Sequence, residues 1–116
     1  MELPSYLDLD SLGVWWDDNG YPRFPDDSLV SVPELSARYC VRAFDSAKLC
    51  FLDPQHFTPY QRDCLSREGH WFAVVGDFIV DPWACWANLI DYCTVHRESS
   101  AARTLYAGHW AYPLAA

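Results

Sequence analysis

Two side chains near the middle of the chain, His70 and Asp81, are of types that work together in acid–base chemistry. They lie in the stretch Gly69–Trp83, GHWFAVVGDFIVDPW, which reads as two short apolar strands, His70–Val75 and Phe78–Asp81, joined by Gly76-Asp77. Glycine at the first loop position suits a two-residue type II′ turn, because that position needs a positive φ. The loop sets a register in which Val75 faces Phe78, Val74 faces Ile79 and Phe72 faces Asp81. Opposed residues share a face, and so do alternate residues of one strand. One face then carries His70, Phe72, Val74, Ile79 and Asp81, and the other Trp71, Ala73, Val75, Phe78 and Val80. His70 and Asp81 become diagonal neighbours, about 7–8 Å apart at the backbone, a gap their side chains can close. An imidazole held by a carboxylate is a general base. Beside a thiol of ordinary pKa near 8.5 it stabilises the nucleophilic thiolate. Cys40, Cys50, Cys64, Cys85 and Cys93 are the thiols available.

The elements around this hairpin follow from caps and periodicity. Ser31-Val32-Pro33-Glu34 has the form of a capping box with proline in the first turn, and predicts a helix running to about Phe51, stopped by Asp53-Pro54. Cys40, Ala43, Phe44, Ala47 and Phe51 recur at spacings of three and four along it and form one face. Thr58-Pro59-Tyr60-Gln61 repeats the capping signature and predicts a short helix over 59–67, with Gly69 as its stop. After Asp81-Pro82, a helical period in Trp83, Trp86, Leu89, Ile90, Cys93 and Arg97 predicts a third helix over 83–96. Residues 97–100 read as a polar linker, and the alternation of Thr104–Tyr112 as a further strand closed by Pro113. Upstream, Val14-Trp15-Trp16, Asp17-Asp18-Asn19-Gly20 and Tyr21-Pro22-Arg23-Phe24 read as strand, turn and extended edge segment. Trp15 and Trp16 point to opposite sides, one expected in the core and the other free to anchor a partner. The fold class is α+β, a small antiparallel sheet packed against two or three helices, in a single domain with an acidic, aromatic segment over 1–32 and a core over 33–116.

A histidine opening an apolar strand, a tight turn, and a second strand ending in Asp-Pro resembles the His and Asp strands of papain-like and transglutaminase-like cysteine hydrolases. The resemblance covers about residues 34 to 85. It implies a papain/transglutaminase-like core and the order Cys, His, Asp, with the cysteine on an upstream helix. Cys40 is the residue in that place, so the resemblance implies Cys40 as nucleophile, His70 as base and Asp81 as its orienting group. Tyr39 rather than glycine precedes Cys40, and Gln61 is a candidate oxyanion donor only by residue type.

The chain has 116 residues and a net charge of −8, with half its residues apolar. Residues 1–34 hold Glu2, Asp8, Asp10, Asp17, Asp18, Asp26, Asp27 and Glu34 against Arg23 alone, so this segment accounts for −7 of the charge. With no basic stripe to displace counterions, direct nucleic-acid binding is not expected. An acidic surface instead suits a basic protein partner. No apolar run is long enough to span a bilayer, so no membrane association is expected. MELPSYLDLD has no basic region ahead of an apolar one, and an odd number of cysteines without framework spacing reads as free thiols, so a cytoplasmic location is expected. No cofactor is expected. GxGxxG and GxxxxGK[ST] are absent, and Cys85, Cys93 and His96 lack the CxxC or HExxH company of a zinc site.

Two functions fit these observations. One is a small thiol hydrolase acting on amide or thioester bonds of a protein or peptide. The other is a non-catalytic binding or inhibitor protein that docks on a basic surface of a partner, through Asp17, Asp18, Asp26 and Asp27 with Trp15 and Trp16. In charge and size it would be like the small acidic inhibitors that occupy a nucleic-acid-binding surface.

Overall fold

A computed structural model describes residues 3–4 and 6–111. In chain order the elements are β1 (Trp15–Trp16), β2 (Pro22–Arg23), α1 (Pro33–Ala43), β3 (Lys48–Leu52), α2 (Pro59–Cys64), β4 (His70–Val75), β5 (Phe78–Val80), α3 (Pro82–Trp86), β6 (Thr94–His96), α4 (Ser100–Leu105) and β7 (Trp110–Ala111). The fold is α+β, with four helices and two antiparallel sheets among the described residues. β1 and β2 form a ribbon, and the other five strands form a sheet in the order β6-β5-β4-β3-β7.

The central hairpin has the register expected from its loop. Val75 pairs with Phe78, Val74 with Ile79 and Ala73 with Val80. Gly76 lies at φ +59 and Asp77 is not left-handed, as a II′ turn requires. The second strand stops at Val80, and Asp81 caps α3 by accepting from the Ala84 N–H. Gly69, at φ +105, starts the hairpin where a Cβ would lie 2.3 Å from the Phe51 ring, so only glycine brings His70 this close to β3.

Period-two alternation divides the core between the two sheet faces. On one face Ala73 and Val80 meet Cys40 of α1. On the other, Phe72, Val74 and Ile79 join Cys50, Leu52, Phe57, Leu65, Leu105 and Tyr106 in the larger cluster.

Four sequence expectations are corrected here. The helix from Pro33 ends at Ala43, not near Phe51, and its cap is Val32 with no side-chain bond, because Glu34 turns to Arg38 (2.9 Å) instead of back to Ser31. Phe44 is extended and Ser46 takes φ +62, so Lys48–Leu52 leaves as a strand paired with His70–Val74. The helix expected over 83–96 stops at Trp86. Asn88 adopts φ +62, the Leu89 N–H donates to Ala84 O (2.9 Å) and the Asn88 N–H to Cys85 O (3.1 Å), a left-handed cap that releases 94–96 to pair with β5. The strand expected from Thr104 is instead α4, capped by the Ser99 hydroxyl, followed by β7; Tyr112 and Pro113 lie outside the described residues. Neither Trp15 nor Trp16 is in the core, since both are exposed. The helix at 59–64 carries the full Thr58–Gln61 capping box.

Candidate functional site

His70 is fully buried, and its Nε2 lies 2.6 Å from Asp81 Oδ2. Tyr106 donates its hydroxyl to the same oxygen at 2.6 Å, and the Ala84 N–H donates to Oδ1 at 3.1 Å. A carboxylate only accepts, so the His70 Nε2–H is the donor. Burial, first, and the adjacent Asp81 carboxylate hold the Tyr106 phenol well above its ordinary pKa, so it stays a donor. Nδ1 of His70 has no hydrogen-bond partner among the described residues. With the proton on Nε2 this leaves an under-used acceptor, which costs less than an orphaned donor. The imidazole sits among the rings of Trp83 (4.9 Å between centroids), Phe72 (6.0 Å) and Tyr106 (6.1 Å). The structure therefore brings His70 and Asp81 together, and adds Tyr106. No sequence signal pointed to Tyr106, because its expected strand is a helix end.

Cys40 does not join them by hydrogen bond. It projects from α1 into the cluster on the opposite face of the sheet, against Ala73 and Val80, whereas His70 alternates with Phe72 and Val74. Nε2 of His70 is taken by Asp81, and Nδ1 makes no hydrogen bond to Cys40. Burial, and secondarily the Asp81 carboxylate, push the Cys40 thiol far above its ordinary pKa, the reverse of what a thiolate nucleophile needs. Gln61 is likewise structural. It completes the α2 cap, and its buried amide donates to Leu105 O (2.9 Å) and Ala107 O (2.8 Å). Cys93 and His96, expected on one helix face, fall instead at and on β6, and no group of three or more metal-binding side chains occurs among the described residues. Iodoacetamide at neutral pH is expected to alkylate Cys40 at least about tenfold more slowly than the half-exposed Cys85. A Cys40 that outpaces Cys85, and slows in a folded His70→Ala variant, would restore the thiolate–imidazolium pair.

The acidic segment forms the second arrangement. Asp17 builds the β1–β2 turn: it accepts from the Asn19 and Tyr21 N–H groups (both 2.9 Å) and pairs with Arg23 at 2.8 Å. Asp26 accepts from Ser28 and pairs with Arg42 of α1 at 3.0 Å, and Phe24 stacks on Tyr39 at 4.0 Å, so the ribbon is tied to α1. The carboxylates of Asp18 and Asp27 are exposed and make no hydrogen bond or ion pair among the described residues. Exposed aromatic rings gather in the same segment: Tyr6 (68%), Trp16 (56%), Tyr21 (51%) and Trp15 (42%). Trp15 pairs across from Arg23 and Trp16 from Pro22, so the two indoles leave opposite faces of the ribbon.

Bonds to Asp17, chiefly from the Tyr21 N–H and then from Arg23, and to Asp26, chiefly from Ser28, lower both carboxyl pKa values in the folded chain. The stability they add is present above the unfolded value near 3.9 and is lost as pH falls through the lower folded value. The protection factors of the Asn19 and Tyr21 amides, that is, their exchange relative to an unstructured chain at the same pH, are expected to be unchanged down to about pH 5 and to fall below about pH 4. Protection that already falls near neutral pH would show that Asp17 does not hold the turn.

No family model, curated protein or solved structure matches this chain.

Proposed function

We propose that this chain is a non-catalytic binding protein whose β1–β2 ribbon docks in a basic cleft of a partner protein. The observation that carries the reading is a pair of exposed indoles on a ribbon braced by Asp17 and Asp26, with the unpaired Asp18 and Asp27 carboxylates beside them. Folding alone gives no reason to leave large aromatic rings in water, and aromatic residues are the usual anchors of interfaces. Indoles on both faces fit a cleft better than a flat surface. The two free carboxylates supply attraction to a basic wall, and a partner that binds polyanions has such a cleft.

In this reading the order shared with papain-like hydrolases, helix, His strand, Asp strand, serves as scaffold. His70 has no exposed surface and Cys40 lies on the other side of the sheet, so a substrate would meet neither. The buried His70–Asp81–Tyr106 network braces the hairpin against α3 and the end of α4. The test is partner capture by the full chain and by variants at Trp16, Asp18 and Asp27. Binding that survives all of these would overturn the reading. So would hydrolysis of an amide or thioester substrate that is lost on Cys40→Ser.

A further inference from the structure

We propose that Cys85 and Cys93 form a redox-modified pair, Cys85 reacting first with a hydroperoxide and Cys93 then closing a disulfide beside the N-terminal segment. The left-handed cap at Asn88 turns the chain back after α3, so Cys93 returns alongside it. There the Asp81 backbone links the two cysteines: its N–H donates to Cys93 O at 2.8 Å, and its carbonyl accepts the Cys85 N–H at 3.3 Å. The two cysteines are thereby held as neighbours across one residue, and a disulfide needs their sulfurs to close to about 2.05 Å.

The two thiols differ in access and in ionisation. Cys85 is half-buried and lines a surface pocket of ≈ 260 Å³ with Asp8, Leu9, Asp10 and Trp16, whereas Cys93 is fully buried. Hydrogen bonding by the neighbouring Cys93 thiol lowers the Cys85 pKa against the opposing pull of burial and of Asp8, Asp81 and Asp91. The same bond, and then burial, keep the Cys93 thiol protonated. An accessible, more acidic thiol backed by a protonated second thiol is the division of labour that disulfide closure through a sulfenic acid requires.

The Cys85 thiolate attacks one peroxide oxygen, the O–O bond breaks, and the sulfur becomes a sulfenic acid as water or an alcohol departs. Cys93 then loses its proton and attacks the Cys85 sulfur, and the hydroxyl leaves as water. Two thiols give up two electrons and two protons, and the hydroperoxide is reduced.

The position gives the modification a consequence. The Cys93 N–H donates to Leu7 O at 2.6 Å, its carbonyl accepts the Asp81 N–H at 2.8 Å, and the neighbouring Thr94 hydroxyl donates to Pro4 O at 2.9 Å. Drawing Cys93 toward Cys85 acts on the residues that tie the N-terminal segment to the core, next to Trp16. This inference does not depend on the docking reading.

The experiment treats the reduced full-length chain with one equivalent of hydrogen peroxide and maps thiols under non-reducing conditions after chymotryptic cleavage. The expected product is a Cys85–Cys93 disulfide, lighter by two hydrogens, with Cys40 and Cys50 still reduced. Cys93→Ser is expected to accumulate a dimedone-reactive sulfenic acid at Cys85, at least about tenfold faster than any oxidation at Cys40. Cys85→Ser is expected to leave Cys93 reduced. Uniform oxidation of the five cysteines, or disulfides only between molecules, would overturn the proposal. If Cys93→Ser does not fold, the mapping of the native chain decides alone, and absence of the linked 85–93 product there is a negative result.

Discussion

Asp81→Ala is expected to lower the unfolding free energy by about 3–5 kcal/mol, measured as a shift in the urea midpoint at constant slope. The substitution removes the acceptor of two buried donors, His70 Nε2–H and Tyr106 O–H, and the side-chain cap of α3. An orphaned buried donor costs about 1–3 kcal/mol and a lost cap about 1 kcal/mol, against a typical total stability of 5–15 kcal/mol. Asp81→Asn separates the contributions. One oxygen of Asp81 serves His70 and Tyr106 while the other serves Ala84, and an amide has an acceptor on only one side. It is expected to lose about 1–3 kcal/mol, and Tyr106→Phe, which leaves Asp81 two donors, about 1–2 kcal/mol. An Asp81→Ala protein as stable as the parent would mean that the network does not brace the fold. The site would then have to be reconsidered as one kept for chemistry.

That network was partly legible in the sequence, and the limit is physical. His70 and Asp81 fall within one hairpin, where a two-residue loop and strict alternation set the register locally. Tyr106 comes from 25 residues beyond Asp81, at the end of a helix whose only sequence signal was the Ser99 cap. The same distinction explains the elements. The hairpin, the Thr58–Gln61 box and the Trp15–Arg23 ribbon are encoded by neighbouring residues and were readable. Residues 44–52 were not, because Phe44, Ala47 and Phe51 continue a three–four spacing by coincidence across the end of α1, a turn and a buried strand. Only the pairing of β3 with β4, far along the chain, decides for a strand. Residues 87–96 repeat this, with Asn88 as the one local clue to the break. Periodicity puts Cys40 on the inward face of its helix, where it is buried, but cannot say which side of the sheet that helix covers. That choice separated it from His70.

Trp16→Ala is expected to weaken partner binding about 30-fold or more, the effect of removing an anchor worth about 2 kcal/mol, without changing the unfolding midpoint. The indole is 56% exposed and pairs across from Pro22, so the folded chain loses little with it. Trp15→Ala is a less clean probe, because the Trp15 indole N–H donates to Phe24 O at 3.1 Å and helps hold the ribbon. The charge contribution is read separately from Asp18→Asn with Asp27→Asn. Asparagine tolerates the left-handed φ of +71 at Asp27, and neither carboxylate has a structural bond among the described residues. Reversing Asp17 or Asp26 would instead break the turn and the tie to α1, and would confuse folding with docking. The paired neutralisation is expected to slow association and to flatten its dependence on salt, whereas Trp16→Ala acts on dissociation. Tyr60→Ala removes an exposed ring on α2, outside the ribbon, and is expected to leave binding unchanged. A partner whose association rate ignores both salt and the neutralised pair, and whose dissociation ignores Trp16, binds elsewhere. The exposed aromatic ribbon would then need another explanation.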